Sequence, residues 1–327
     1  MFAVRMSWNL PSVVALLVAA AWIAPAWTPS QAAADDAFEL EPRNADWFLV
    51  FNAIGARGRP DQIEFREHGL RPLELIYPPQ LWGIPAGTPL EERPQALPRE
   101  NRVRAAARYA DRGGQLVCLD IEHWDLRHAS DEQFEANLEK LTTVVDWMRD
   151  AAPGLRLGYY RLVPQRLNDA PRDPDDPDVV AWQEHNARLT ALAEKVDVVF
   201  PSLYTIHDNP EDWRAYARAN LSEARRYGKQ VYVFLWPHFH PMAARRSGRD
   251  IARKPIPGDF WRAQLEFCRE YADGVVIWSS WHEPWDEEAA WWQETKDFME
   301  TLAEQRREIP TWPRFEHEHE HENDDEG

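Results

Sequence analysis

The chain alternates between two patterns of hydrophobic and polar positions. Short, mainly apolar runs at 46–55, 73–77, 115–124, 155–162, 196–204, 230–236 and 274–281 read as strands, and the Leu-Val-Cys-Leu core of the third reads as buried on both faces. Between them, 102–112, 132–151, 179–195, 211–227, 260–271 and 287–307 carry apolar residues at helical spacing. The second of these is the clearest, with Phe134, Leu138, Leu141, Val144, Val145 and Met148 on one stripe and Asp131 near its start. Gly113-Gly114, Pro153-Gly154 and Gly228 stop helices, and the proline-rich stretch 78–98 reads as a long loop.

Seven strands alternating with helices require a parallel sheet with crossover connections. At 327 residues the expected fold is α/β, a distorted (β/α) barrel of TIM type with seven strands in a single domain. A doubly wound open sheet is the alternative, but no Gly-x-Gly-x-x-Gly loop follows any strand. Neither an internal repeat nor a dividing linker is present.

The ends differ from the middle. Residues 1–34 resemble a secretory signal peptide: Arg5 is the positive start, 13–24 the apolar stretch, and Ala32-Ala33-Ala34 the cleavage site. The apolar stretch is too short to span a bilayer, so an uncleaved anchor is the weaker reading. The expected organisation is a leader at 1–34, a barrel catalytic domain at 35–312 and an acidic His/Glu-rich disordered tail at 313–327. A cleaved leader implies a secreted or periplasmic protein with no membrane partner. The two cysteines, Cys118 in a buried strand and Cys268 in a helix, are expected as buried free thiols even though export permits a disulfide. Asn220-Leu221-Ser222 is a glycosylation sequon.

Formal net charge is −18, and seven of the negatives lie in 316–326, leaving about −11 for the rest. That balance excludes a nucleic-acid partner, which needs a basic footprint. The 17 Trp, 13 Phe and 9 Tyr exceed what a core needs and leave aromatic surface for ligands.

The chemistry concentrates in Gln115-Leu-Val-Cys-Leu-Asp-Ile-Glu-His-Trp124. Asp120 and Glu122 stand two apart at a strand end, so they share a face with Cα atoms roughly 6.5 Å apart. Two carboxylates there are expensive unless hydrogen-bonded or used. Each disfavours the other's ionisation, so one keeps its proton to higher pH, as a general acid must. Trp124 has the same strand parity and can offer an apolar ring. The plainer reading is that such a pair caps the next helix or binds a surface arginine.

In a barrel, chemistry sits at the C-terminal strand ends. The residues expected there are Asn52, Tyr77, Asp120, Glu122, Tyr159, Tyr160, Tyr204, Trp236, Trp278 and Trp281. Each aromatic alone reads as core, but carboxylates ringed by Tyr, Trp and Asn describe a carbohydrate cleft. No Gly-x-Ser-x-Gly elbow is present. His238 and His240 have metal-ligand spacing without a second cluster, so no metal or cofactor is expected.

These residues resemble the hyaluronidase family of glycoside hydrolases. Phe51-Asn52-Ala53 is similar to the family's Trp-Asn-Ala, and Tyr77-Pro78-Pro79-Gln80-Leu81 to its Tyr-x-x-Gln-Leu. Asp120-Ile121-Glu122-His123-Trp124 is similar to Asp-Trp-Glu-x-Trp, and Gly158-Tyr159-Tyr160 to Gly-Tyr-Tyr. Phe200-Pro201-Ser202-Leu203-Tyr204 resembles Phe-Pro-Ser-Ile-Tyr, and Val276-Ile277-Trp278-Ser279-Ser280-Trp281 resembles Val-Ile-Trp-x-Ser-Trp. The six stretches occur in the family's order.

The resemblance implies a seven-stranded distorted barrel and retaining hydrolysis at an N-acetylhexosamine, with the substrate's acetamido oxygen as nucleophile. By position, Glu122 is the acid/base, and Asp120 orients and polarises the acetamido group. Tyr160 and Tyr204 position that group and Trp278 walls its methyl. Asn52, Tyr77, Trp124, Tyr159, Trp236 and Trp281 are the expected substrate-binding residues. The implied partner is a polysaccharide, a glycosaminoglycan or another N-acetylhexosamine polymer. The chain departs from the family at Asp125 and at Leu235-Trp236-Pro237, where the family has arginines, and at Val163-Pro164-Gln165-Arg166, where it has a cysteine. A glycan-binding barrel without catalysis is the competing class, and a metal hydrolase using His238 and His240 the third.

Overall fold

The computed structural model describes residues 38, 40–43, 47–113 and 116–308. The expected leader and acidic tail lie outside the described residues. Strands are β1 (Leu49–Ile54), β2 (Arg71–Ile76), β3 (Leu116–Leu119), β4 (Leu157–Tyr159), β5 (Val198–Val199), β6 (Gln230–Leu235) and β7 (Gly274–Ser279). Helices are α1 (Gln62–Glu67), α2 (Pro78–Trp82), α3 (Glu100–Arg112), α4 (Asp131–Ala151), α5 (Pro177–Ala187) and α6 (Thr190–Lys195). Then follow α7 (Pro210–Arg225), α8 (Pro241–Ser247), α9 (Gly258–Tyr271) and α10 (Ala290–Glu308).

All strand pairs are parallel, in the order β4-β3-β2-β1-β7-β6-β5. The two outer strands of that order also meet. Tyr160 bridges Phe200, Arg161 N–H donates to Phe200 O at 2.9 Å, and Asp197 N–H donates to Leu157 O at 2.9 Å. The sheet therefore closes into a (β/α) barrel of TIM type. Close approach at the seam explains one glycine: a Cβ at Gly158 would run into the Val198 carbonyl oxygen.

Side chains alternate around the barrel. Phe51, Leu116, Cys118, Phe200, Tyr232, Phe234 and Val276 fill the interior. Val50, Val117, Leu157, Val199, Val233 and Val275 face outward and pack with the helices. Each strand is covered twice, which is why the runs are apolar without alternation. Side chains cap two of the helices, Ser130 accepting from Gln133 N–H at α4 and Asn209 from Asp212 N–H at α7.

Several elements differ from expectation. The helix expected at 179–195 breaks at Arg188–Leu189 into α5 and α6. The loop at 78–98 contains α2, whose Pro78 and Pro79 suit a helix start, and a single 3-10 turn at Leu90–Glu92. The fifth strand is shorter than 196–204: Pro201 has no N–H for the ladder, and pairing resumes as isolated bridges at Ser202 and Thr205. Cys118 and Cys268 are buried free thiols, as expected. Asn220 of the sequon is buried and straps the segment after β4, accepting from Leu167 N–H at 2.9 Å and donating to Leu167 O at 3.0 Å. Among the described residues no helix is long and apolar enough to cross a membrane.

Candidate active site

A cavity of about 290 Å³ opens at the C-terminal ends of the strands. Asp120 continues the inward parity of Leu116 and Cys118, and Glu122 follows it two residues on, so both carboxyls reach this cavity. Asp120 is anchored by its backbone, whose N–H donates to Ile76 O at 3.0 Å. Burial first, and then the charge of Glu122, raise its carboxyl well above the usual carboxylate range, offset in part by Arg93 and Arg161. Asp120 therefore keeps its proton to higher pH than an ordinary carboxyl. Glu122 Oε1 is ion-paired with Arg161 Nη1 at 3.1 Å.

The aromatic wall comes from five different strand ends. Tyr204 and Trp278 stack, with ring centroids 5.6 Å apart and planes 24° from parallel. Trp236 stands edge-on to Trp278 at 5.5 Å. Trp278 Nε1 donates to Tyr77 Oη at 3.3 Å, and Tyr160 Oη donates to Ser202 Oγ at 3.2 Å. Burial raises the phenols of Tyr77, Tyr160 and Tyr204, so all three remain neutral hydroxyls that can donate. The cavity thus joins two carboxyls, three phenols and two indoles.

Four residues expected at the site lie elsewhere. Asn52 has outward parity: its Oδ1 accepts from Ile54 N–H at 2.9 Å and its Nδ2 donates to Gln62 Oε1 at 3.0 Å. Tyr159 also points outward, donating its hydroxyl to Leu141 O of α4 at 2.8 Å. Trp124 lies past the point where the chain turns and is fully buried between Trp82, 5.2 Å away edge-on, and Lys140. Trp281 lies beyond β7 and is 69 % exposed, its ring 3.7 Å from that of His282.

The structure adds residues that the sequence reading missed. Arg161, Arg166 and Arg253 line the cavity, giving a basic flank inside an acidic protein. Strand alternation would send residue 161 outward, but its left-handed backbone (φ 46°) turns the side chain in. Arg253 likewise has φ 60° and comes from the loop before α9. No sequence signal marks either conformation.

His238 and His240 diverge. His240 Nδ1 accepts from Met242 N–H at 3.1 Å, capping α8, while His238 Nδ1 lies 3.7 Å from Glu283 Oε2. Burial lowers both imidazoles to about 4. Among the described residues no three His, Cys, Asp or Glu side chains gather at a metal-sized point. Asp125 caps a turn by accepting from Arg127 and His128 N–H.

No sequence family and no curated protein matches the chain. Solved structures do. The bee venom hyaluronidase is 14% identical, with 79% of this chain and 97% of that chain covered and a TM-score of 0.52. A glucosidase from Croceicoccus marinus is 11% identical, covering 82% and 70% with a TM-score of 0.43. A chitinase from Pseudoalteromonas aurantia is 12% identical, covering 74% and 79% with a TM-score of 0.38. At 14% identity the likeness to the hyaluronidase defines the fold, a TIM-type barrel, and fold does not fix chemistry.

Proposed function

We propose that the protein is a glycoside hydrolase that cuts within an N-acetylhexosamine-containing polysaccharide, with retention and with the substrate's acetamido oxygen as nucleophile. The observation that carries this reading is the meeting of Asp120 and Glu122 with Tyr160, Tyr204 and Trp278 around one cavity. Glu122 is the acid/base. It gives its proton to the leaving glycosidic oxygen while the acetamido oxygen attacks the anomeric carbon, and later takes a proton from the incoming water. Asp120 lies deep in the cavity, where a carboxylate offsets positive charge developing on the acetamido group without solvent reorganisation. Tyr160 and Tyr204 offer hydroxyl donors, and the stacked Tyr204 and Trp278 offer an apolar face for a methyl group or a sugar ring. The hyaluronidase resemblance supports the same assignment, and the leader-like residues 1–34 support export.

The competing reading, a barrel that holds glycans without cutting them, draws on one observation: the Glu122 carboxylate is tied to Arg161. Purified protein incubated with hyaluronan, chondroitin and chitin fragments separates the two. New saturated reducing ends support the hydrolase. Binding without new ends supports the binding barrel, and unsaturated ends indicate a lyase.

A further inference from the structure

Among the described residues, those other than glycine with positive φ are Arg161 and Arg253. Both are arginines and both line the same cavity. A left-handed L residue is strained, and such strain persists where the surroundings over-determine it, most often at functional sites. At Arg161 the cause is visible. Its N–H closes the barrel seam by donating to Phe200 O, and the enforced turn sends its guanidinium to Glu122.

We propose that Arg161 is a positioning residue that sets the order in which the couple gives up its proton: its ion pair holds Glu122 as a carboxylate at rest, and the pair must open before Glu122 can act as an acid. The inference rests on the reading of Glu122 as the acid/base. The reaction needs Glu122 as a carboxylic acid and Asp120 as a carboxylate, and the resting arrangement is the reverse. When Arg161 leaves, the Asp120 carboxyl gives its proton to the Glu122 carboxylate and the negative charge passes to Asp120. The couple holds one proton and one negative charge before and after. Glu122 then protonates the leaving oxygen as the glycosidic bond breaks. Arg161 has room to move, since 41% of its side chain is exposed.

The other groups facing the couple do not take this part. Tyr77 at the end of β2, Tyr160 after β4 and Tyr204 after β5 are neutral phenols. His240 at the start of α8 is neutral above about pH 4. Arg93 faces Asp120, and Arg166 and Arg253 supply cationic background. Among the described residues, only Arg161 forms an ion pair with Glu122.

The test compares full-length wild type with Arg161→Gln and Arg161→Lys, both of which keep a side chain at the left-handed position. Infrared spectra of protein labelled with 13C-carboxyl aspartate or glutamate identify the group that carries the carboxylic acid stretch near neutral pH. In the wild type the stretch should follow the aspartate label and vanish in Asp120→Asn. In Arg161→Gln it should shift wholly or partly to the glutamate label, and Arg161→Lys should return it to aspartate. The acid limb of kcat/KM should move up by about one pH unit or more in Arg161→Gln, since an anion loses an adjacent cation. A stretch that stays on aspartate in Arg161→Gln, or an unmoved acid limb, overturns the inference. The infrared result needs no turnover, so it stands apart from a failure of the proposed hydrolysis.

Discussion

Tyr204 follows β5 and Trp278 lies near the C-terminal end of β7, more than 70 residues later in the chain, yet their rings lie stacked, 5.6 Å apart and 24° from parallel. The barrel brings them together because β5, β6 and β7 are neighbours in the sheet and both residues have inward parity. They form a flat apolar wall beside Asp120 and Glu122, suited to a ring or a methyl group.

That wall should act on binding more than on chemistry. Trp278→Ala is expected to raise KM by about 2- to 10-fold, the range an aromatic contact of about 0.5–1.5 kcal/mol supplies. Because the contact exists before and during bond cleavage, kcat should change little. Steady-state kinetics on a cleaved oligosaccharide check this, and a fall in kcat at constant KM would give Trp278 a different role.

Asp120 makes stability depend on pH with a definite sign. Its carboxyl binds a proton more tightly folded than unfolded, so its stabilising effect is present below the unfolded value and is lost as pH rises through the raised folded value. Asp120→Asn removes the effect. Melting temperatures measured from pH 4 to pH 9 should show the variant gaining on the wild type as pH rises. A constant difference across that range would mean that Asp120 is not held protonated.

The closed seam depends on Gly158, where a methyl group would meet the Val198 carbonyl oxygen and the Phe200 ring 3.1 Å away. Gly158→Ala should therefore destabilise the fold by about 1–3 kcal/mol, as overpacking does. Urea unfolding of the two proteins provides the measure, and equal midpoints would mean that β4 and β5 can separate without loss.

His238 and His240 are neutral, and they turn to different partners: a helix cap in one case, Glu283 in the other. Treatment with EDTA should leave glycan cleavage unchanged. Activity lost to EDTA and restored by a divalent ion would revive the metal hydrolase reading.

Much of the site was legible because the strands have a simple parity. Leu116 and Cys118 lead inward to Asp120 and Glu122, and Tyr77, Tyr160, Tyr204, Trp236 and Trp278 share that inward parity on their own strands. Asn52 and Tyr159 were expected at the site from their place at strand ends, and both face outward. A strand covered on both faces carries apolar residues everywhere, so its sequence does not say which face is inner. Phe51-Asn52-Ala53 and Gly158-Tyr159-Tyr160 are cases of this kind. Trp124 and Trp281 were lost for another reason, since alternation ends where the strand ends. Arg161 and Arg253 depend on left-handed backbones that nothing in an arginine announces, and so the basic flank of the cavity emerged only from the structure.

The account rests on Glu122 as the proton donor, and Glu122→Gln tests it most directly. The amide keeps the shape of the side chain and cannot give up a proton to the leaving oxygen. Reducing ends released from whichever of hyaluronan, chondroitin or chitin fragments the wild type cuts should fall by a factor of about 10² to 10⁴ or more, with glycan binding and folding retained. Undiminished cleavage by Glu122→Gln would contradict it.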